Sequence, residues 1–211
     1  MLELPVVVET AAVVIGALSG AGHAVKREAD IIGIFVIALS TSVGGGIIRD
    51  VLLGAGPPVA LVHPRYLEVV GGATLVALLL SERLARLDRL LGWLDALLLG
   101  LWTLMGAQRA QAAGLPATAV VFLGTVTATG GGVMRDIFSG ERPKVFVKGE
   151  LHVTAAALAA TLYALLVRVF AVPDVVAEAA CLVTATVLRL VAMRWHLTAP
   201  TPRDLRWRKR S

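Results

Sequence analysis

The stretch Gly44-Gly45-Gly46-Ile47-Ile48-Arg49-Asp50 recurs, with only conservative changes, as Gly130-Gly131-Gly132-Val133-Met134-Arg135-Asp136. The offset is 86 residues, and it holds without a gap on both sides. Gly20-Ala21 falls on Gly106-Ala107, Gly54 on Gly140, Pro57 on Pro143, and the acid Glu9 on the acid Asp95. Coincidence does not put a seven-residue motif and its flanks in one register, so the chain reads as a duplication. Each copy holds three apolar segments. Three is odd, so the second copy enters a membrane from the side opposite to the first. The copies are then inverted about a pseudo-two-fold axis in the membrane plane, an architecture that often carries solutes at the repeat interface. A duplication without transport, as in a scaffold, is the other reading.

Composition agrees with burial in lipid. Of 211 residues, 57% are hydrophobic and 17% charged, with a mean hydropathy of +0.79. A soluble domain is about 45–50% apolar and about 25% charged. One core of this size cannot hide the excess, which excludes a soluble enzyme, a disordered chain and a disulfide scaffold. Seven apolar segments near 5–22, 31–48, 66–81, 91–107, 115–134, 151–168 and 174–193 predict an all-α polytopic membrane protein. The chain then forms a single membrane domain: repeat one about 5–81, repeat two about 91–168, a seventh transmembrane helix and a basic tail over 194–211. The first run reads as a span and not as a cleaved leader. Cys181 has no intrachain partner and reads as a small buried hydrophobe.

The net charge is +5, which in a soluble chain would suggest nucleic acid. Here the basic residues fall in short connections and the tail, so no nucleic-acid partner is expected. With the N-terminus outside, 15 Lys and Arg lie on the cytoplasmic side and 4 outside, Arg189 being within the last span. The positive-inside rule gives N-out, C-in. The tail is also a candidate for anionic lipid headgroups, although orientation signalling alone accounts for it.

The glycines carry the chemistry. Three in a row cost a helix about 1 kcal/mol each relative to alanine and strip side chains from successive positions. Spans two and five are expected to kink or break at Gly44, Gly45, Gly46 and at Gly130, Gly131, Gly132. Freed carbonyls there would contact a cation, while close helix packing of small residues is the competing reading. Arg49, Asp50, Arg135 and Asp136 follow at the span ends. Sequence neighbours leave a helix in different directions, so each Arg is expected to find an acid elsewhere. The two pairs are expected to flank opposite mouths of an hourglass path, or else to serve as anchors. Hydroxyls crowd the same spans at Ser40, Thr41, Ser42, Thr125, Thr127 and Thr129. They supply oxygen ligands or bond back to helix carbonyls, with Ser42 and Thr129 the candidates next to the glycines. Glu9 and Asp95 lie near the starts of their spans, placed either for the helix dipole or to attract cations, and Lys144 is a candidate basic residue at one mouth. The four histidines show no metal-ligand spacing, and the glycine runs do not continue as phosphate loops.

With these motifs the chain resembles the TRIC family, the trimeric intracellular cation channels, in its bacterial and archaeal branch. The marks are Gly44-Gly45-Gly46 with Arg49-Asp50, Gly54 and Pro57-Pro58, and Gly130-Gly131-Gly132 with Arg135-Asp136, Gly140 and Arg142-Pro143-Lys144. The resemblance implies seven transmembrane helices in two inverted three-helix repeats plus a seventh helix. It also implies a homotrimer with one hourglass pore per protomer, lined by kinked helices two and five. Such proteins conduct monovalent cations, potassium and sodium, need no cofactor and are not enzymes. A prokaryotic chain would sit in the cytoplasmic membrane. Prokaryotic relatives have also been described as glycine transporters, which keeps a secondary transporter of a small neutral solute open.

Overall fold

The computed structural model describes residues 6–54, 56–80, 87–147 and 151–199. Every regular element among them is helical: α1 (Val6–Lys26), α2 (Ile31–Leu53), α3 (Val59–Val62), α4 (Arg65–Leu79), α5 (Asp88–Ala112), α6 (Ala117–Phe138), α7 (His152–Arg168) and α8 (Asp174–Arg194), with a single 3-10 turn at Lys144–Phe146. Most of the basic tail, assigned above to lipid or orientation, lies outside the described residues.

Local chemistry sets the ends of the helices. Asp30 caps α2, its carboxylate accepting the Gly33 N–H at 2.7 Å. Gly54 closes α2 in the left-handed region at φ 62, donating its N–H to the Asp50 and Val51 carbonyls. Pro58, Pro64, Pro116 and Pro173 each stand immediately before a helix, where the missing N–H costs nothing.

Five helices, α1, α2, α5, α6 and α8, contain spans long and apolar enough to cross a membrane. The third segment of each repeat is shorter: α4 has 15 residues and α7 has 17. At 1.5 Å per residue these are about 22 and 25 Å long, against a hydrocarbon core of about 30 Å.

Packing follows the 86-residue offset. In the first half α1 lies against α2 and α4, and α2 against α4; in the second half α5 lies against α6 and α7, and α6 against α7. The halves meet chiefly where α2 packs on α6, and α8 rests outside the repeat on α5 and α7. Small side chains bring the helices close: Ala12, Ala17, Ala21 and Ala24 on α1, and Ala155, Ala156, Ala159 and Ala160 on α7, are all buried. Large apolar side chains point outward instead, including Ile31, Ile32, Leu75, Phe122, Val176 and Val183. Such an inverted surface suits lipid and not water.

Two expectations are corrected here. Helical structure runs uninterrupted through Gly44–Gly46 and Gly130–Gly132, so the expected break, and the carbonyls it would free, are absent. The helix–helix approach that the glycines permit offsets their poor propensity. Asp95 does not sit at a helix start, because α5 begins at Asp88 and places Asp95 two turns in. Side-chain partners, and not the helix dipole, hold it there.

Candidate functional site

At the α2–α6 crossing there is no room for side chains. A Cβ on Gly45 would lie 2.0 Å from the Thr127 carbonyl oxygen, and one on Gly131 would lie 2.7 Å from the Thr41 carbonyl oxygen. A Cβ on Gly44 would meet Met134 Sδ at 2.7 Å and the Gly131 Cα at 3.5 Å, while one on Gly130 would meet Ile48 Cδ1 at 2.8 Å and the Gly45 Cα at 3.3 Å. Thr41 and Thr127, and Ile48 and Met134, are themselves 86 residues apart. Each contact therefore has its reciprocal, as a two-fold axis between the helices requires. The third glycines differ. A Cβ on Gly46 would meet only Trp102 and Arg49, at 3.7 Å or more, and one on Gly132 only the Arg135 guanidinium at 4.0 Å.

The hydroxyls bond within their own helices. Ser40 and Thr41 donate to the Ile37 carbonyl, Ser42 to Leu39, Thr125 to Val121, Thr127 to Leu123 and Thr129 to Thr125. Ser42 packs under Gly16 on α1, where a Cβ would stand 2.8 Å from the Ser42 Cα. Of this group, Thr41 and Thr127 face the cavity described below.

The Arg-Asp pairs are corrected in part, since Arg135 does reach a distant acid, Asp95. Each Arg finds its own neighbour: Arg49 Nε donates to Asp50 Oδ1 at 2.8 Å, and Arg135 Nε to Asp136 Oδ1 at 3.0 Å. The second carboxylate oxygen reaches across the following turn. Asp50 Oδ2 accepts the Val59 N–H at 3.0 Å, and Asp136 Oδ2 accepts the Lys144 N–H at 2.9 Å. The left-handed Gly54 and Gly140, at φ 62 and 70, turn the chain back so that these bonds can form. Lys144 thus enters through its backbone, with its side chain exposed. All four charged residues are buried, Arg49 and Asp136 to 2% exposure, so they are interior pairs close to the ends of their helices.

The halves then diverge. Arg135 also reaches Asp95 at 3.5 Å; Arg189 of α8 reaches the same carboxylate at 3.6 Å, and His152 of α7 stands 4.0 Å from it. In the first half, Glu9 interacts with the Tyr66 hydroxyl, Tyr66 being the counterpart of His152 at the 86-residue offset. Arg65 lies over the Tyr66 ring at 5.1 Å.

A narrow cavity lies between the halves, with ≈ 20 Å³ of room for the centre of a water-sized sphere. That suffices for about one water or one bare monovalent cation. Its walls include Thr41 and Gly45 from one half and Thr127, Asp95, Arg135 and His152 from the other. Gly131 and Gly132 also border it, whereas Ser42, Gly44, Gly130, Thr129 and Asp50 do not. The spacing of residues did not lead to His152 or Arg189. The 86-residue offset carried a signal for His152, through the pairs Glu9/Asp95 and Tyr66/His152. Arg189 lies in α8, outside the repeat, and its one signal is a basic residue in mid-span.

A family model described as glycine transporter matches the chain twice, over residues 6–82 and 92–168. The inner membrane protein YadS of Escherichia coli K12, from the group UPF0126, is 33% identical over 186 residues, or 88% of this chain and 89% of that protein. A solved TRIC cation channel superposes with a TM-score of 0.86 at 32% identity, covering 94% of this chain and 97% of that one. The TRIC trimeric intracellular cation channel orthologue from Rhodobacter sphaeroides gives 0.83 at 32% identity, covering 91% and 98%.

Proposed function

The chain belongs to the bacterial branch of the TRIC family, which is the family that the glycine-transporter model describes, and from that premise we propose that it is a monovalent cation channel. The path runs between α2 and α6 within each protomer of a homotrimer and conducts potassium and sodium. Seven helices cross the cytoplasmic membrane, the short α4 and α7 included, with the N-terminus outside and the C-terminus inside. The repeats are inverted, and the Arg-Asp pairs mark opposite ends of an hourglass. Anionic lipid headgroups are the candidate partner of the basic tail.

The observation that carries this reading is the cavity between the glycine crossing and the Asp95 carboxylate. No side chain fills the crossing, and the Thr41 and Thr127 hydroxyl oxygens that face the cavity keep lone pairs free to replace part of a cation's water shell there. Asp95 supplies the attracting charge. Arg135 and Arg189, both within 3.6 Å of Asp95, oppose it, and a passing ion is held too weakly to stay. Conduction needs that balance between entry and release. Glu9 and Asp50 supply the acidic charge of the other half.

Purified protein in planar bilayers is expected to give unitary currents whose reversal potential follows potassium in a potassium chloride gradient. Silent bilayers, or currents that follow chloride, overturn the reading. The description of the family model favours one alternative, a secondary transporter of glycine. Saturable uptake of labelled glycine by proteoliposomes, without unitary currents, would decide for it.

A further inference from the structure

We propose that His23, Asp136 and Glu141 form a binding site for a zinc-class divalent cation where the ends of α1 and α6 meet. His23 lies in the last turn of α1, Asp136 near the end of α6 and Glu141 in the turn that follows Gly140. Each offers a ligand atom, and the three atoms lie within 4.8 Å of one another. The His23 Nε2 is closed off from solvent and makes no hydrogen bond among the described residues. Glu141 Oε2 stands 3.5 Å from it, too far for a good hydrogen bond. It is close to the distance of about 3.3 Å between neighbouring ligands on a tetrahedral ion with bonds of about 2.0–2.1 Å. Asp136 lies within 4.8 Å of both, and rotation of the His23 and Glu141 side chains toward it closes the set while its bonds to Arg135 and Lys144 stay in place.

The outer partners suit such a site. Arg135 and the Lys144 N–H orient the Asp136 carboxylate, and Arg27 pairs with the Glu141 oxygen turned away from His23. Ligating carboxylates are commonly steadied in this way. One imidazole with two carboxylates selects zinc over magnesium or potassium, which prefer oxygen alone. The two guanidiniums offset the carboxylate charge, so binding is reversible, and three protein ligands leave a fourth position for water. An occupied site ties α1 of the first half to the end of α6 in the second, beside the Asp136 bond to Lys144.

Equilibrium dialysis of the full-length protein in detergent against zinc chloride is expected to show one tight zinc ion per protomer. Magnesium chloride should show none. His23→Ala and Glu141→Gln should each weaken zinc binding at least tenfold. Unchanged zinc binding in both variants overturns the site. Should either variant fail to fold, X-ray absorption at the zinc edge of the wild-type complex decides. One imidazole with oxygen neighbours supports the proposal, and an oxygen-only shell or two imidazoles refutes it. None of these readouts uses conductance, so the site stands or falls apart from the channel reading.

Discussion

Replacing Gly45 with alanine puts one methyl group where α2 and α6 touch. Its nearest neighbour would be the Thr127 carbonyl oxygen at 2.0 Å, about 1.4 Å short of the 3.4 Å at which ordinary contact begins. The Thr127 carbonyl carbon at 3.0 Å and the Gly131 nitrogen at 3.4 Å close in behind it. All three atoms are backbone, so no rotamer change relieves the clash and the helices must part. Overpacking of a tight interior costs about 1–3 kcal/mol, and an unyielding wall puts Gly45→Ala at the upper end. Alanine returns about 1 kcal/mol through helix propensity, leaving a net loss of about 2 kcal/mol. For a chain of this length that corresponds to a fall in melting temperature of roughly 4–8 °C. Gly46→Ala is the internal control, because its Cβ would meet nothing closer than 3.7 Å and it gains the same propensity. Thermal unfolding of the three proteins in one detergent, followed by circular dichroism, should rank Gly46→Ala at or above wild type and Gly45→Ala well below. Equal melting temperatures for the two variants would refute the backbone-on-backbone crossing.

Asp95→Asn removes the carboxylate that Arg135, on the cavity wall, shares with Arg189, so bilayer recordings should show lower cation conductance and a reversal potential shifted toward chloride. Asp136→Ala removes both the partner of Arg135 and the acceptor of the Lys144 N–H; loss of one member of a buried pair costs about 3–5 kcal/mol, reduced here because Asp95 still faces Arg135. Lower yield and earlier unfolding than in Lys144→Ala would bear this out, since Lys144→Ala keeps the backbone N–H. Gly54→Ala forces a side chain into the left-handed region at φ 62. It should lower stability by about 1 kcal/mol in the same unfolding assay, whereas Gly72→Ala, with open space around its Cβ, should raise it.

Helices α2 and α6, the second and fifth apolar segments, were legible in the sequence as uncharged apolar runs, but their ends were not. The expected spans stopped near 48 and 134, and the helices run on to Leu53 and Phe138. Charge ordinarily marks the end of a lipid-facing span. Arg49, Asp50, Arg135 and Asp136 are instead buried and mutually paired, so the helix carries them inside and stops only beyond them. Helix α5 likewise overruns 107 to reach Ala112, because Gln108 is tied to Glu178 of α8 at 2.6 Å. The glycines were legible as places of close approach, since loss of a side chain is a local fact. The partners of Asp95 were not, because Arg135, His152 and Arg189 come from three other helices. A pattern along one chain does not report which helices become neighbours. The duplication was the exception, relating positions 86 residues apart whose environments proved to correspond.

The division of labour within each aspartate bears on how such a chain can change. Asp136 gives one oxygen to its arginine and the other to the connection after the helix, and Asp50 does the same. The group that sets the local charge is also the stitch that fixes the loop, and the stitch works only because Gly54 or Gly140 turns the chain toward it. Altering one member strands the rest, so arginine, aspartate and glycine work as one unit in each half. That accounts for two halves that spell the same short phrase twice.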